Sequence, residues 1–179
     1  SYLSVDVAPG ATGPGGTLAI AADNLQVESG GQLGANTFGQ GDAGHLNLTV
    51  SETVSLRGGS VLGPSGLFTT ADVLGSGQAG KLTLKTGSLL MDEGAQILAN
   101  SFNQAAAGSV VIDATQQVNL TGTRALNTGG LGPSIVTPTL IQSGMDVASS
   151  GQGGGVTVEA GTVAIADGAK ITTGTFGGG

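Results

Sequence analysis

The chain has 179 residues, 35 of them Gly, with no Cys or Trp, 3% aromatic and 9% charged residues, yet 39% hydrophobic ones. That is too apolar for a disordered chain and too poor in large side chains for a deep conventional core, so thin, repetitive β structure is expected. Twelve acids against five bases give a net charge of -7 and leave Arg57, Arg124, Lys81, Lys85 and Lys170 too scattered to follow a phosphate backbone.

Nucleic acid is therefore not an expected partner. Without Cys there are no disulfides, thiolate metal ligands or Cys nucleophiles, a pattern that fits a secreted bacterial protein. Gly does not recur at every third position, which excludes collagen. No apolar run approaches the ~20 residues of a membrane-spanning helix, so membrane insertion is not expected.

In chain order, Val5-Asp6-Val7-Ala8 resembles Ala71-Asp72-Val73 and Met145-Asp146-Val147-Ala148, so Ser1 to Gly15 reads as the tail of an earlier copy of a repeat. Five copies follow, starting at Gly16, Gly44, Gly80, Gly108 and Gly154, each with apolar residues two and four positions later. The apolar pairs are Leu18/Ile20, Leu46/Leu48, Leu82/Leu84, Val110/Ile112 and Val156/Val158. A second alternating pair follows at Leu25/Val27, Leu89/Met91 and Val163/Ile165 in copies one, three and five. In copies two and four it slips by one residue, to Val54/Leu56 and Val118/Leu120.

Fourteen residues after every anchor stands another glycine: Gly30, Gly58, Gly94, Gly122 and Gly168. These are predicted to form a common turn with a left-handed backbone or a close approach. A third apolar position is predicted at Leu33, Val61, Ile97 and Ile171. Odd copies then share Asn36-Thr37-Phe38, Asn100-Ser101-Phe102 and Gly174-Thr175-Phe176, where a tight bend and a stack of Phe38, Phe102 and Phe176 are expected.

Alternation with period 2, broken by Gly or Asn, describes short strands, and no stretch shows helical spacing. Three apolar stripes per copy of about 28 residues are what a parallel β-helix of triangular section needs, with like positions stacked between coils. The expected architecture is all-β: a right-handed parallel β-helix, a solenoid of about five to six coils that forms one segment over residues 1–179. Extra residues in copies two and four predict loops near 62–67 and 123–138, and Pro133 and Pro138 oppose continuous ladder pairing in the second. Neither end carries a cap, so the expectation is a section of a longer repeat protein.

Gly-Gly-x-Leu-x-Ile, Leu-x-Val-x-x-Gly-(Ala/Gly)-x-Ile and Asn-Thr-Phe-Gly-Gln-Gly, as they stand in Gly15 to Gly41 and, with variation, in Ala79 to Gln104, resemble the repeats of filamentous haemagglutinin-type exoproteins, especially large cyanobacterial ones. The resemblance covers nearly the whole chain. It implies a right-handed β-helical stalk or fibre segment of a secreted, cell-surface adhesin, exported by two-partner secretion through an outer-membrane β-barrel transporter. Its partners would be cell-surface or matrix glycans or proteins, or other copies of itself.

The alternative is a carbohydrate-active β-helix, a polysaccharide lyase or hydrolase, which needs clustered carboxylates. Alignment by anchor puts Ala21, Thr49, Lys85, Asp113 and Glu159 in one column, so Lys85, Asp113 and Glu159 form a surface cluster on successive coils. One cation offsetting two acids on a solvated strand is the simpler reading.

A second acidic set, Glu28, Asp92, Glu93 and Asp167, flanks the turn glycines on alternate coils, too dispersed for the six to eight oxygens of calcium. His45, the one histidine, is expected to face outward, which rules out a triad or multi-histidine metal site within the chain. Asn47-Leu48-Thr49 and Asn119-Leu120-Thr121 match a glycosylation sequon, as Asn/Thr-rich strands easily do. No catalytic residue, metal or cofactor is assigned, and the protein is expected not to be an enzyme.

Overall fold

The computed structural model describes residues 1–126, 134–145 and 151–175, all in strands, turns and loops. The strands in chain order are β1 (Tyr2–Ser4), β2 (Thr17–Glu28), β3 (Gln32–Gly34), β4 (His45–Arg57), β5 (Gly59–Ser60), β6 (Gly63–Pro64), β7 (Gly66–Phe68) and β8 (Lys81–Asp92). They continue with β9 (Gln96–Leu98), β10 (Ser109–Thr121), β11 (Thr123–Leu126), β12 (Ile135–Pro138), β13 (Leu140–Met145), β14 (Gly155–Ala166) and β15 (Lys170–Thr175). The long strands build a five-stranded parallel sheet, β2-β4-β8-β10-β14, and the short ones a six-stranded parallel sheet, β1-β3-β7-β9-β13-β15. The chain alternates between them, and the stacked parallel sheets are consistent with a β-helix-like fold.

Register follows the sequence columns residue by residue. Leu18, Leu46, Leu82, Val110 and Val156 are successive ladder partners, as are Ile20, Leu48, Leu84, Ile112 and Val158. Every second side chain along each long strand enters a single core shared by both sheets, and Leu46, Leu82 and Val110 are fully buried. Each such side chain contributes about 1.5–3 kcal/mol relative to an exposed one. The one-residue slip in copies two and four also has a structural cause. Each long strand bends midway, leaving one residue unpaired in odd copies (Asp23, Gly87, Gly161) and two in even copies (Ser51-Glu52, Thr115-Gln116).

The third apolar column differs from the prediction. It runs Leu3, Leu33, Leu67, Ile97, Ile141 and Ile171, and Val61 is not in it. Val61 and Leu62 instead form the tip of an antiparallel hairpin, β5–β6, each 93% exposed. The insertion in copy two is therefore this hairpin, not a loop over 62–67, because Gly66–Phe68 already belongs to the second sheet. In copy four the insertion includes a second antiparallel hairpin, β11–β12, in which Pro138 pairs with Thr123 at the end of the ladder, where a missing N–H costs little. Pro133 and the tip lie outside the described residues.

A third line of contact closes each repeat: Val7, Thr37, Ala71, Ser101 and Met145 are linked by single parallel bridges. Val7, not Val5, is thus level with Ala71 and Met145, which corrects the alignment of the first segment by two residues. Asp6 stands beside Asn36 rather than in the row of Asp72.

Candidate functional site

The turn glycines are the most regular feature. Gly30, Gly58, Gly94, Gly122 and Gly168 have φ of 80°, 63°, 79°, 75° and 84°. In odd copies the preceding residue is left-handed as well: Ser29 (54°), Glu93 (50°) and Asp167 (52°). Two successive positive φ values are the signature of a type I′ turn, and each is closed by a backbone bond such as Gly31 N–H to Glu28 C=O at 2.9 Å. In even copies only the glycine is left-handed, and the chain runs on into a hairpin.

The anchor glycines have a different requirement. A Cβ on Gly108 would collide with the carbonyl of Gly80, and one on Gly80 with that of Gly44, so the backbones of successive layers approach too closely for any side chain.

Charged groups gather at the same corner. Glu28, Arg57 and Asp92 are ladder partners, and Arg57 donates to Glu93 Oε1 at 2.7 Å while its Nε lies 3.5 Å from Asp92 Oδ1. The two acids respond oppositely. Glu93 is held below the usual carboxylate range, first by its hydrogen bond from Arg57 and then by the charge. Asp92 is pushed up, because burial outweighs the attraction of Arg57, and its Oδ1 makes no hydrogen bond. Arg57 is raised, chiefly by the bond to Glu93. Asp167 is elsewhere, accepting from Thr121 Oγ1 at 2.9 Å. Among the described residues, no group of three or more His, Asp or Glu side chains is arranged to hold a metal ion.

Lys85, Asp113 and Glu159 occupy one exposed ladder column, with Asp113 between the other two. No ion pair joins them among the described residues. His45 is exposed, its Nδ1 3.4 Å from the Lys81 N–H, and Asn47 and Asn119 lie within β4 and β10. Phe38 and Phe102 do not adjoin: Ala71 stands between Thr37 and Ser101 in the bridge column, which separates the rings by two layers. Phe176 is outside the described residues.

Sequence reasoning missed a groove of about 500 Å³ on the outer face of the second sheet, beneath the β5–β6 hairpin. Asn36, only 6% exposed, organises one side of it. Its Nδ2 donates to Tyr2 Oη (2.8 Å) and Asp6 Oδ1 (3.1 Å), and its Oδ1 accepts from the Thr70 N–H and Oγ1, both at 2.9 Å. Tyr2 Oη donates to Asp6 Oδ2 at 2.6 Å, and the phenol is pushed up to about 12, by burial first and then by Asp6. Gln32 Nε2 donates to the Pro64 carbonyl at 3.0 Å and pins the hairpin to the sheet.

The available signal was the column Gln32, Gly66, Gln96 beside Gly34, Phe68, Leu98, which emerges only when copy two is aligned on Leu67 instead of Val61. No protein-family model, curated protein or solved structure matches the chain.

Proposed function

We propose that the chain is a section of a right-handed parallel β-helix serving as a structural stalk or fibre segment of a secreted, cell-surface adhesin-type exoprotein exported through an outer-membrane β-barrel transporter. The observation that supports this most is the unbroken register of interior columns through all five long strands. Layers with matching interior columns, stacked at ~4.8 Å, extend a rod by simple addition.

A catalytic reading is weaker. An active site locally breaks the pattern that surrounds it, whereas Lys85, Asp113 and Glu159 continue theirs and make no ion pair with one another among the described residues.

Electron microscopy and fibre diffraction of native material test the structural role, with rods and an axial repeat near ~4.8 Å expected. Compact, concentration-independent globules would overturn it. Turnover of pectin, alginate or peptidoglycan that Asp113→Asn abolishes would establish the enzymatic alternative instead.

A further inference from the structure

The geometry points to a binding site for a neutral oligosaccharide in the groove under the β5–β6 hairpin, and we propose this as a function separate from the structural role. The floor is aromatic and preformed. A Cβ on Gly66 would collide first with the Gln96 carbonyl and would also lie 3.0 Å from Phe68 Cζ, so the position stays bare and the Phe68 ring lies over it. Gly34 does the same for Tyr2, whose Cε2 would be 3.0 Å from such a Cβ. Leu62 at the hairpin tip walls one side, and Phe38, 37% exposed, completes the aromatic lining.

Polar groups flank the Phe68 platform along the stacking axis. Gln32 and Gln96 are the ladder partners on either side of Gly66, hence ~9.6 Å apart, about the length of a disaccharide. The Gln96 side chain makes no hydrogen bond among the described residues, and Gln32 uses only Nε2. Two amides with free capacity around a half-buried ring that lines the groove suit a pyranose, which offers an apolar C–H face to the ring and hydroxyls to both sides. Asn36 has both donors and both acceptor sites occupied, so it positions Tyr2 and Thr70 without contacting ligand.

Two other ligand classes fit worse. The lining holds Asp6 and no cation, and the chain carries -7, so an acidic polysaccharide would be repelled. An extended peptide gains most of its affinity from a free strand edge, and β3, β7 and β9 across the floor are each paired on both sides, which leaves edges only at the rim, on the short strands β1 and β6.

Isothermal titration of the 179-residue chain with cellohexaose and maltohexaose, and with hexagalacturonate as the acidic counterpart, tests the proposal. At least one neutral hexamer should bind, hexagalacturonate should not, and Phe68→Ala should weaken binding about tenfold or more. Gln96→Ala, on a side chain with no hydrogen bond to lose among the described residues, should weaken it severalfold with an unchanged melting temperature. Leu74→Ser, at an exposed turn outside the groove, should leave it unaltered. Binding of neither neutral hexamer, equal binding of hexagalacturonate, or parent-like affinity in both Phe68→Ala and Gln96→Ala would overturn the assignment. None of these results bears on whether the native material is a rod.

Discussion

The corners of odd and even copies use the same glycine column for different ends. At the odd corners of Gly30 and Gly94 the glycine completes a tight turn and then faces the hairpin of the next layer: a Cβ on Gly94 would lie 2.7 Å from Arg124 Cβ and 2.9 Å from the Thr137 carbonyl, and one on Gly30 would strike the Ser60 side chain. At even corners the glycine opens into the hairpin itself, and a Cβ would have room, with the Glu93 N–H nitrogen 3.8 Å from Gly122 and Glu93 Oε2 3.4 Å from Gly58. Gly30 and Gly94 are thus required by both φ and space, Gly58 and Gly122 by φ alone. A two-layer unit results, in which a plain turn seats the insertion of the neighbouring layer. Arg124 joins successive insertions by donating from Nη2 to the Ser60 carbonyl at 2.7 Å.

The largest effect should therefore separate the two corners. Gly94→Ala combines the ~1–2 kcal/mol cost of a left-handed side chain with an overlap that backbone cannot avoid, for a loss of about 2–4 kcal/mol. Gly122→Ala incurs the first cost alone, about 1–2 kcal/mol. Chemical denaturation of both variants checks the order, and equal losses would mean that the hairpin yields freely.

Next come the hydroxyls that tie the two kinds of corner together. The Gly30 N–H donates to Ser65 Oγ and the Gly94 N–H to Thr139 Oγ1, each at 2.9 Å, and both hydroxyl residues are fully buried just after a hairpin. Thr139 Oγ1 also donates to the Thr121 carbonyl at 2.8 Å. Thr139→Val keeps the shape and leaves a buried N–H and a half-buried C=O without this partner, so a loss of about 1–3 kcal/mol is expected, with faster hydrogen exchange at the Gly94 amide. Thr139→Ser should recover most of it.

These relations explain how much of the molecule the sequence discloses. The columns Leu18 to Val156 and Gly30 to Gly168 are legible because period-2 alternation and fixed glycine spacing are local properties that stacking only copies. The third column is not: Val61 satisfies the same local pattern as Leu33, and only the antiparallel pairing of Gly59 with Pro64 diverts it into a hairpin tip. The groove is still less legible, because Phe68 and Gln96 come from different layers and Tyr2 precedes all five anchors. Its polar network depends on a two-residue alignment of Asp6 that tertiary pairing decides.

A smaller effect tests the paired left-handed residues. Ser29→Gly relieves ~1–2 kcal/mol of left-handed strain against ~0.5–1 kcal/mol of added chain entropy, leaving a gain of about 0–1.5 kcal/mol. The even-corner counterpart, Thr121→Gly, precedes Gly122 with no positive φ to relieve and loses a hydrogen bond to Asp167, so it should destabilise. Opposite signs in thermal melts would confirm that the corners differ in backbone class.

The smallest expected effect concerns charge where an even corner meets an odd one. Arg57 reaches from copy two to the turn of copy three and gives its short hydrogen bond to Glu93, leaving Asp92 with attraction at 3.5 Å and a buried, unbonded Oδ1. Since burial raises the folded pKa of Asp92 above its unfolded value, the native state holds the proton more tightly. The stability linked to that proton is fully present below the unfolded carboxyl range, near pH ~4, and is lost as pH rises through the folded value. At pH 7 the ionised carboxylate is therefore a small burden, and Asp92→Asn should raise the melting temperature slightly, with the difference shrinking in acid. Glu93 runs the other way: its lowered pKa makes its contribution present at neutral pH and lost as pH falls through the folded value, so Glu93→Gln should lower the melting temperature at pH 7 and matter less in acid. Melts of the two variants at neutral and acid pH read both signs, and parallel behaviour would show that Arg57 serves the two carboxylates alike.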